Sequence, residues 1–275
     1  MLTLGCKVTN NFPFDNLFLT NKNLIENFAV SRINRTFALS MDIQQQRKNI
    51  GSLFDRIALH YDGLNHILSL NVDKLWRRQG VRSLKGHYVH CLDIATGTAD
   101  LAIALVRSGK VDNVTGADLS SEMMRIGAEK VARKKLSDVI SFQLADCAEL
   151  PFDDSTFDLV TCSYGVRNFA RLDESLCEIF RVLRPGGELM ILEFAYPSNR
   201  LIRGIYDFYF TRILPLVGKM ISRDASAYEY LPTSVKHFIY GADFTAHLQQ
   251  AGFSNATFKS QTFSISMLYR AKKNQ

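Results

Sequence analysis

Between residues 88 and 193 the chain alternates short apolar runs with stretches whose apolar residues recur every three or four positions. The runs have the length of buried strands and the stretches have the spacing of amphipathic helices, so the pattern predicts consecutive βα units. The strands predicted here are Tyr88–Ile94, Asn113–Ala117, Ile140–Leu144, Phe157–Cys162 and Glu188–Glu193. Two β-rich runs, 256–263 and 266–271, follow a last helix at 243–251 and suit an antiparallel edge hairpin. We therefore predict an α/β fold with a seven-stranded, mostly parallel, doubly wound sheet.

Helices are predicted ahead of this sheet and on both sides of it. Residues 44–66 and 71–84 have helical periodicity. Ser120, Ser121 and Asp173 have side chains that suit the position before a helix, so we predict either serine as the N-cap of one helix and Asp173 as the N-cap of the next. The run Arg184-Pro185-Gly186-Gly187 is expected to end the second of these capped helices, because proline and glycine interrupt helical structure.

The first forty residues differ from the rest of the chain. They contain seven asparagines and five phenylalanines without a helical or strand period. They lack the continuous apolar region and small-residue cleavage site of a secretory signal. Because residues 1–40 contain few acidic residues, a mitochondrial presequence is a weaker alternative. We predict a disordered or mis-assigned leader at 1–40 and a folded domain at 41–275.

A long insertion separates the fifth strand from the last helix. Residues 195–241 exceed an ordinary crossover connection, and 202–217 are apolar around most of a helical circumference. Four aromatic residues lie close together there: Tyr206, Phe208, Tyr209 and Phe210. Two interpretations stay open, a helix buried beneath the N-terminal helices or a helical lid over an apolar substrate. The rim of such a lid would meet a bilayer through Arg203, Arg212 and Lys219.

The most informative stretch runs from Cys91 to Asp100, where the first strand gives way to small residues and then to a helix. Such a turn opens nucleotide-binding α/β domains, although any parallel-sheet protein can contain a tight βα turn. Gly97 is its only glycine, whereas a pyrophosphate-binding turn has three, and Asp93 and Asp100 place negative charge on either side. A cationic ligand without phosphate is therefore favoured. S-adenosylmethionine, with its sulfonium and ammonium groups, has this chemistry.

Polar residues follow the next three strands at the same edge of the sheet. Asp118 lies twenty-one positions beyond Gly97, where a carboxylate can accept hydrogen bonds from both hydroxyls of a ribose. Asp146 can accept from an adenine amino group, and the Cys147 backbone N–H can donate to the adenine ring. Ser163, after strand four, would face the methionine end. Each residue alone is equally well explained as a cap or turn residue, but four successive strand ends favour an adenosylmethionine site.

Composition narrows the class of protein further. The chain has 275 residues, 47% apolar and 22% charged, which is typical of a soluble protein with one sizeable domain. Its net charge of +6 suits loose attraction to an anionic membrane surface, but more often reflects solubility alone. No apolar run reaches the length of a membrane span. The five cysteines are scattered without a Cys-x-x-Cys pair, so we expect reduced thiols and no metal site.

Four stretches together resemble the UbiE/MenG family of quinone-biosynthesis C-methyltransferases. They are 54–69 with Trp76-Arg77 after it, 165–168, 181–194 and 224–231. The resemblance implies the class I methyltransferase fold, with S-adenosylmethionine as methyl donor and no metal. The positions that match the family's contacts with the methyl donor are Thr98, Asp118, Asp146, Cys147 and Ser163.

Three positions depart from the family pattern. Ala99 stands where a glycine is usual, Asp73 where a histidine is common and Ala195 where a serine often follows Glu193-Phe194. Ala99 needs only an ordinary backbone angle to be harmless. None of the three removes an expected ligand contact, so an active enzyme is expected.

The resemblance implies a polyprenyl hydroquinol as the methyl acceptor. Its ring carbon becomes nucleophilic when a hydroxyl loses its proton, and a phenol of pKa ~10 needs a nearby cation or base for this at neutral pH. Arg167 can stabilise the phenolate, with Asn168 beside it as a second catalytic candidate. The alternative for Arg167 is a surface ion pair with Asp173. Candidates for the base are His60, Tyr61, Asp62 and His237.

Demethylmenaquinol is the preferred acceptor, because 92–102 resembles menaquinone-making bacterial members. A polyprenyl benzoquinol of ubiquinone biosynthesis is one alternative, and a non-catalytic adenosylmethionine-binding scaffold of a quinone-biosynthesis complex is another. Residues 163–166 lack the Asn/Asp-Pro-Pro-aromatic motif that holds a flipped base, so nucleic acid is not expected as a partner. We expect a cytoplasmic enzyme in peripheral contact with the inner face of the membrane. A homodimer is left open.

Overall fold

The structure of the chain is a computed structural model that describes residues 50–58, 69, 71–213 and 226–274. Its sheet has seven strands in the order β3-β2-β1-β4-β5-β7-β6. Their bounds are β1 Tyr88–Ile94, β2 Val111–Asp118, β3 Ile140–Leu144, β4 Phe157–Ser163, β5 Leu183–Phe194, β6 Ser254–Gln261 and β7 Ser266–Lys272. The first five are paired in parallel, and β7 runs antiparallel to both β5 and β6. The predicted sheet and its edge hairpin are confirmed.

Helices connect the strands. Residues 50–58 are helical and form α1. The others are α2 Val72–Ser83, α3 Asp100–Arg107, α4 Ser121–Arg133, α5 Leu172–Val182, α6 Arg200–Phe208, α7 Ser226–His237 and α8 Ala242–Gln250. A short 3-10 turn, Val166–Asn168, follows β4, and a π-helical turn, Tyr209–Ile213, continues α6. Among the described helices, none has the length and apolar content needed to cross a membrane. The leader predicted at 1–40 lies outside the described residues.

Two helix ends test the predicted caps. Ser120 caps α4, because its hydroxyl accepts a hydrogen bond from the Met123 backbone N at 3.1 Å. The prediction for Asp173 is wrong. Arg171 occupies the cap position of α5, while Asp173 lies in the first turn with its carboxylate 2.6 Å from His247 Nδ1. Negative charge is still favourable there, because the N–H groups of the first turn have no partner within the helix and carry partial positive charge.

Strand β5 begins earlier than predicted. Leu183 already pairs with Phe157 of β4, and the register then shifts before Leu159 pairs with Glu188. The run Arg184-Pro185-Gly186-Gly187 therefore belongs to the strand and lies at this irregularity. A bulge accommodates a proline that cannot donate to the ladder and Gly186 at φ +80°.

Apolar side chains alternate between the two faces of the sheet. On one face, Leu189 and Ile191 of β5 belong to a core that includes residues of α5 and α8. On the other, Met190 and Leu192 belong to a core that includes residues of α2, α3 and α4. A parallel strand buried on both sides requires such a continuous apolar run. The sheet is thus doubly wound, and its carboxyl edge stays accessible for a site.

Candidate active site

Four strand ends lie side by side at the carboxyl edge of the sheet. Ile94 at the end of β1 pairs with Ala117 of β2 and with Cys162 of β4, and Asp118 of β2 pairs with Leu144 of β3. Neighbouring strands are about 4.8 Å apart, so the edge from β3 to β4 spans about 14 Å. The residues predicted from separate strand ends are therefore neighbours along one edge.

The turn after β1 has unusual backbone geometry. Gly97 lies at φ +54°, and the non-glycine residues Ala95 and Ala99 lie at φ +50° and +64°. Ala99 does not meet the condition of an ordinary backbone angle, because the residue before α3 takes the left-handed conformation in which glycine is favoured. Close packing contributes to this shape. A Cβ on Gly165 would overlap the Ala95 side chain, so the backbone of the turn after β4 packs against the Ala95 methyl group.

The charges around this turn differ from the prediction in one respect. Asp100 is neutralised, since its carboxylate lies 2.8 Å from Lys130 Nζ and 3.1 Å from the Arg77 guanidinium. Asp93 is buried and accepts hydrogen bonds from the hydroxyls of Thr96 and Thr161. Burial raises the pKa of Asp93 to about 6, although both hydroxyls lower it. Negative charge at the turn therefore comes from Asp93 and Asp118, rather than from Asp100.

Asp118 joins the ends of β1 and β2. One carboxylate oxygen accepts from the Gly97 backbone N at 2.8 Å and the other from the Ser120 backbone N at 2.9 Å. Burial raises the pKa of Asp118, while these backbone hydrogen bonds lower it. A carboxylate has about four acceptor positions, so the same oxygens can also receive ribose hydroxyls. Asp55 of α1 approaches this corner, where it accepts from Ser120 Oγ at 2.5 Å and from the Glu122 N–H.

The remaining predicted contact residues lie along the same edge. The Thr98 side chain is buried, and its hydroxyl accepts a hydrogen bond from Lys130 Nζ of α4 at 3.0 Å. Asp146 accepts from the Ala148 backbone N at 2.9 Å and forms a half-exposed ion pair with Arg171. Cys147 is buried, and burial raises the pKa of its thiol, which favours the neutral thiol. Ser163 ends β4 opposite Leu192.

Arg167 is buried rather than a surface residue. Its Nη1 donates to Glu193 at 2.7 Å and also to the Tyr164 carbonyl, and its backbone N donates to Glu193 at 3.0 Å. The alternative of a surface pair with Asp173 is therefore wrong. Glu193 is fully buried and accepts a third hydrogen bond, from the Phe194 N–H. The guanidinium also lies over the Phe194 ring, 5.3 Å from its centroid.

Asn168 connects the same turn to the helices outside the sheet. Its side-chain oxygen accepts from the Tyr230 hydroxyl of α7 at 2.9 Å. Tyr230 packs in a small cluster with Ile50 and Leu53 of α1. His237 is exposed, with Nδ1 2.8 Å from the Thr233 carbonyl oxygen of its own helix. The other predicted bases, His60, Tyr61 and Asp62, lie outside the described residues.

The insertion has two distinct faces in its described part. Tyr206 is buried, stacked on Phe210 with ring centroids 4.1 Å apart, whereas Phe208 is exposed. The described part of α6 is therefore buried on one face and exposed on the other. Arg203 donates to the carbonyls of Pro197 and Ser198, so its guanidinium turns back onto the chain. Arg212 is exposed, and Lys219 lies outside the described residues.

Sequence reasoning missed three residues of this site. Glu193 lies in the apolar run of β5, and an acid in a strand that is buried on both faces indicates a buried ion pair. Asp55 lies in a stretch that carries the family resemblance, but nothing local indicates its contact with Ser120. Tyr206 is one of four clustered aromatic residues, and periodicity alone cannot tell which of them faces inward.

The fold and the edge together define a class. An open sheet of this order, with a hairpin at its edge and acids at the ends of β1 and β2, is that of the class I S-adenosylmethionine-dependent methyltransferases. A methyltransferase from Haloferax volcanii, solved in complex with the Trm112 methyltransferase activator, superposes with a TM-score of 0.59. The alignment covers 81% of this chain and 98% of that chain at 18% identity, so it shows the fold alone.

Sequence comparison gives the family. The sequence model of the ubiE/COQ5 methyltransferase family matches residues 40–273. The chain belongs to this family. A demethylmenaquinone methyltransferase from Bacteroides fragilis is 40% identical over 230 residues, or 83% of this chain and 94% of the relative. The ubiquinone/menaquinone biosynthesis C-methyltransferase UbiE of Geobacter sulfurreducens is 39% identical over 233 residues, or 84% and 91%. The family resemblance predicted from the motifs is confirmed.

Proposed function

We propose that the protein transfers a methyl group from S-adenosylmethionine to a ring carbon of demethylmenaquinol, forming menaquinol. The observation that carries this proposal is the likeness along nearly the whole folded chain to relatives named for that reaction. The carboxyl edge of the sheet supports it, because acids and backbone N–H groups converge there without a phosphate-binding glycine turn.

The methyl donor would lie along the edge from β3 to β4. Adenosylmethionine, when bound, supplies a methyl group on a sulfonium that is ready for in-line displacement. Asp118 would accept the ribose hydroxyls, while its existing bonds to Gly97 and Ser120 hold the carboxylate in place. Asp146 and the Cys147 backbone would meet the adenine, and Thr98 and Ser163 would line the methionine end. The protein then supplies alignment more than chemical activation.

The acceptor would meet the turn after β4. Arg167 and Asn168 are both buried there, the first held by Glu193 and the second by Tyr230. Glu193 compensates the charge of Arg167. The guanidinium would therefore act on an oxygen of the quinol through directed hydrogen bonds more than through net charge. This revises the expectation that Arg167 stabilises the phenolate mainly by its positive charge.

We also propose that α6 forms part of a lid whose outer face contacts an anionic membrane surface. Leu201, Ile205 and Phe208 follow helical spacing and are 74%, 61% and 59% exposed. Arg200 and Arg212 are exposed at the two ends of this face, and the one acid of 200–213, Asp207, is only half-buried and paired with Lys236. An apolar stripe between basic residues is typical of helices that lie in the membrane interface.

Vesicle binding tests the membrane contact. The full chain should sediment with vesicles containing phosphatidylglycerol and only weakly with pure phosphatidylcholine. Changing Leu201 and Ile205 together to serine should weaken binding at least about tenfold, because two apolar side chains lose their burial in lipid. Leu75→Ser, at an exposed apolar residue of α2, is the matched control. Equal loss in both variants would contradict the assignment of this face.

A reconstituted assay tests the reaction. The purified chain with adenosylmethionine should convert demethylmenaquinol to menaquinol faster than it methylates a polyprenyl methoxybenzoquinol. Faster turnover of the benzoquinol would favour the ubiquinone pathway instead. Binding of adenosylmethionine without any methylated quinol would favour a scaffold.

A further inference from the structure

The Tyr206 hydroxyl is a buried polar group without a hydrogen bond in the described part of the chain. The residue is 4% exposed, and no described donor or acceptor reaches its oxygen. An unsatisfied buried hydroxyl costs stability, and such groups are few in native proteins. Two other tyrosines, Tyr88 and Tyr164, share this condition, but Glu188 and Ser266 lie beside them as polar partners. For Tyr206, charged groups lie nearby, but no described side chain forms a hydrogen bond with the hydroxyl.

The position of Tyr206 connects it to the acceptor side of the site. It lies on α6, which follows the carboxyl end of β5, and the positive charge of Arg167 acts on its phenol. Arg167 itself lies on the turn that follows β4. Because β4 and β5 are neighbours in the sheet, Tyr206 and Arg167 follow adjacent strand ends, at the side of the edge opposite β3.

Packing fixes the orientation of the Tyr206 ring. It stacks on Phe210 and meets Tyr196 edge-on, with ring centroids 5.7 Å apart. The Tyr196 hydroxyl donates to Asp207 at 2.7 Å, and Asp207 pairs with Lys236 of α7 at 2.8 Å. A ring held on two sides cannot easily turn its hydroxyl elsewhere, so the group is preorganised for a partner.

The phenol of Tyr206 is a hydrogen-bond donor at neutral pH. Burial raises its pKa well above the ordinary value for tyrosine, and the nearby Arg167 lowers the pKa by less. A protonated phenol donates one hydrogen bond and suits an oxygen that gains negative charge.

We propose that the Tyr206 hydroxyl donates a hydrogen bond to the hydroquinol oxygen next to the ring carbon that receives the methyl group. The inference rests on the proposed function. That oxygen loses its proton, and its electrons move into the ring. The ring carbon forms the new carbon–carbon bond, and the carbon–sulfur bond breaks with its electron pair going to sulfur. The ring carbon then releases its proton. Water accepts both protons and the oxygen takes one back, so one proton is released for each methyl group transferred. A donor at this oxygen binds it more tightly as negative charge develops.

Tyr206→Phe tests the hydroxyl alone, because the ring and its stacking are kept. With short-tailed demethylmenaquinol as acceptor, we expect kcat/KM to fall about ten- to a hundredfold, as for a lost hydrogen bond to a charged oxygen. Most of the loss should appear in kcat, since the charge develops in the transition state. Affinity for adenosylmethionine should be unchanged. The melting temperature should be unchanged or higher, because an unsatisfied buried hydroxyl is removed.

Tyr196→Phe is the matched control. It removes a hydroxyl that is bonded to Asp207, so we expect a lower melting temperature with little loss of kcat. If Tyr206→Phe keeps the parent kcat/KM while the parent methylates the quinol, the inference is overturned and the proposed function stands. If Tyr206→Phe instead lowers the melting temperature and adenosylmethionine affinity together, the hydroxyl is structural. A parent protein that methylates no quinol overturns both.

Discussion

Removing Glu193 should destabilise the protein strongly, because this residue compensates a buried charge. Glu193 is fully buried and accepts from Arg167 Nη1, from the Arg167 backbone N and from the Phe194 backbone N, at 2.7, 3.0 and 2.8 Å. Glu193→Ala leaves the guanidinium of Arg167 in the core without its carboxylate. Loss of one partner from a buried ion pair costs about 3–5 kcal/mol.

That loss is a large share of the total free energy of unfolding, which is typically about 5–15 kcal/mol. At about 2–4 °C per kcal/mol, the melting temperature should fall by about 6–20 °C. Glu193→Gln keeps one acceptor oxygen and the side-chain volume, so it should cost less, about 1–3 kcal/mol.

Urea unfolding, followed by circular dichroism and by the fluorescence of the single tryptophan, measures both changes. Glu129→Ala is the matched control, because Glu129 forms an exposed pair with Arg125 and should contribute less than about 1 kcal/mol. A double change of Arg167 to Met and Glu193 to Leu should cost less than Glu193→Ala alone. The reasoning is refuted if Glu193→Ala costs no more than the Glu129 control.

Three further predictions concern the methyl donor, the leader and the lid. Asp118→Ala should weaken adenosylmethionine binding at least about tenfold by calorimetry, because charge-assisted hydrogen bonds to the ribose and to the Gly97 turn are lost; unchanged affinity would remove the ribose assignment. A chain that begins at Met41 should keep its melting temperature and activity, since 1–40 has no apolar period to offset the entropy of ordering; a large loss of either would mean that the leader packs or targets. Phe210→Ser should raise the apparent KM for a long-tailed quinol more than for a tail-less one, with Leu75→Ser of α2 as control. Equal losses on both acceptors would point to general destabilisation.

The pattern of apolar residues was sufficient to predict the strands of the sheet but not the irregularity in their pairing. The bounds of β1 and β3 agree with the prediction, because a short apolar run between polar turns leaves few alternatives. The start of β5 does not, because Pro185 and Gly186 normally end regular structure. Only a register shift against β4 keeps them within the strand. Pairing between strands is not encoded in the local sequence.

The candidate site was likewise predictable from the sequence only in part. The spacing of Gly97 and Asp118 from strand ends predicted their proximity, which their hydrogen bond confirms. The burial of Arg167 was not predictable, since its partner Glu193 is 26 residues away and the choice of partner depends on tertiary packing. The left-handed angle of Ala99 was also missed, because a methyl side chain gives no indication of backbone strain.

The position of the transferred methyl group tests the central claim most directly. The full chain would be incubated with demethylmenaquinol and adenosylmethionine carrying an isotope-labelled methyl group, and the product examined by mass spectrometry and nuclear magnetic resonance. We predict a product that is heavier by one labelled methyl group, bonded to the quinol ring carbon next to a hydroxyl-bearing carbon. A label on a quinol oxygen, or an unmethylated quinol despite bound adenosylmethionine, would contradict the account.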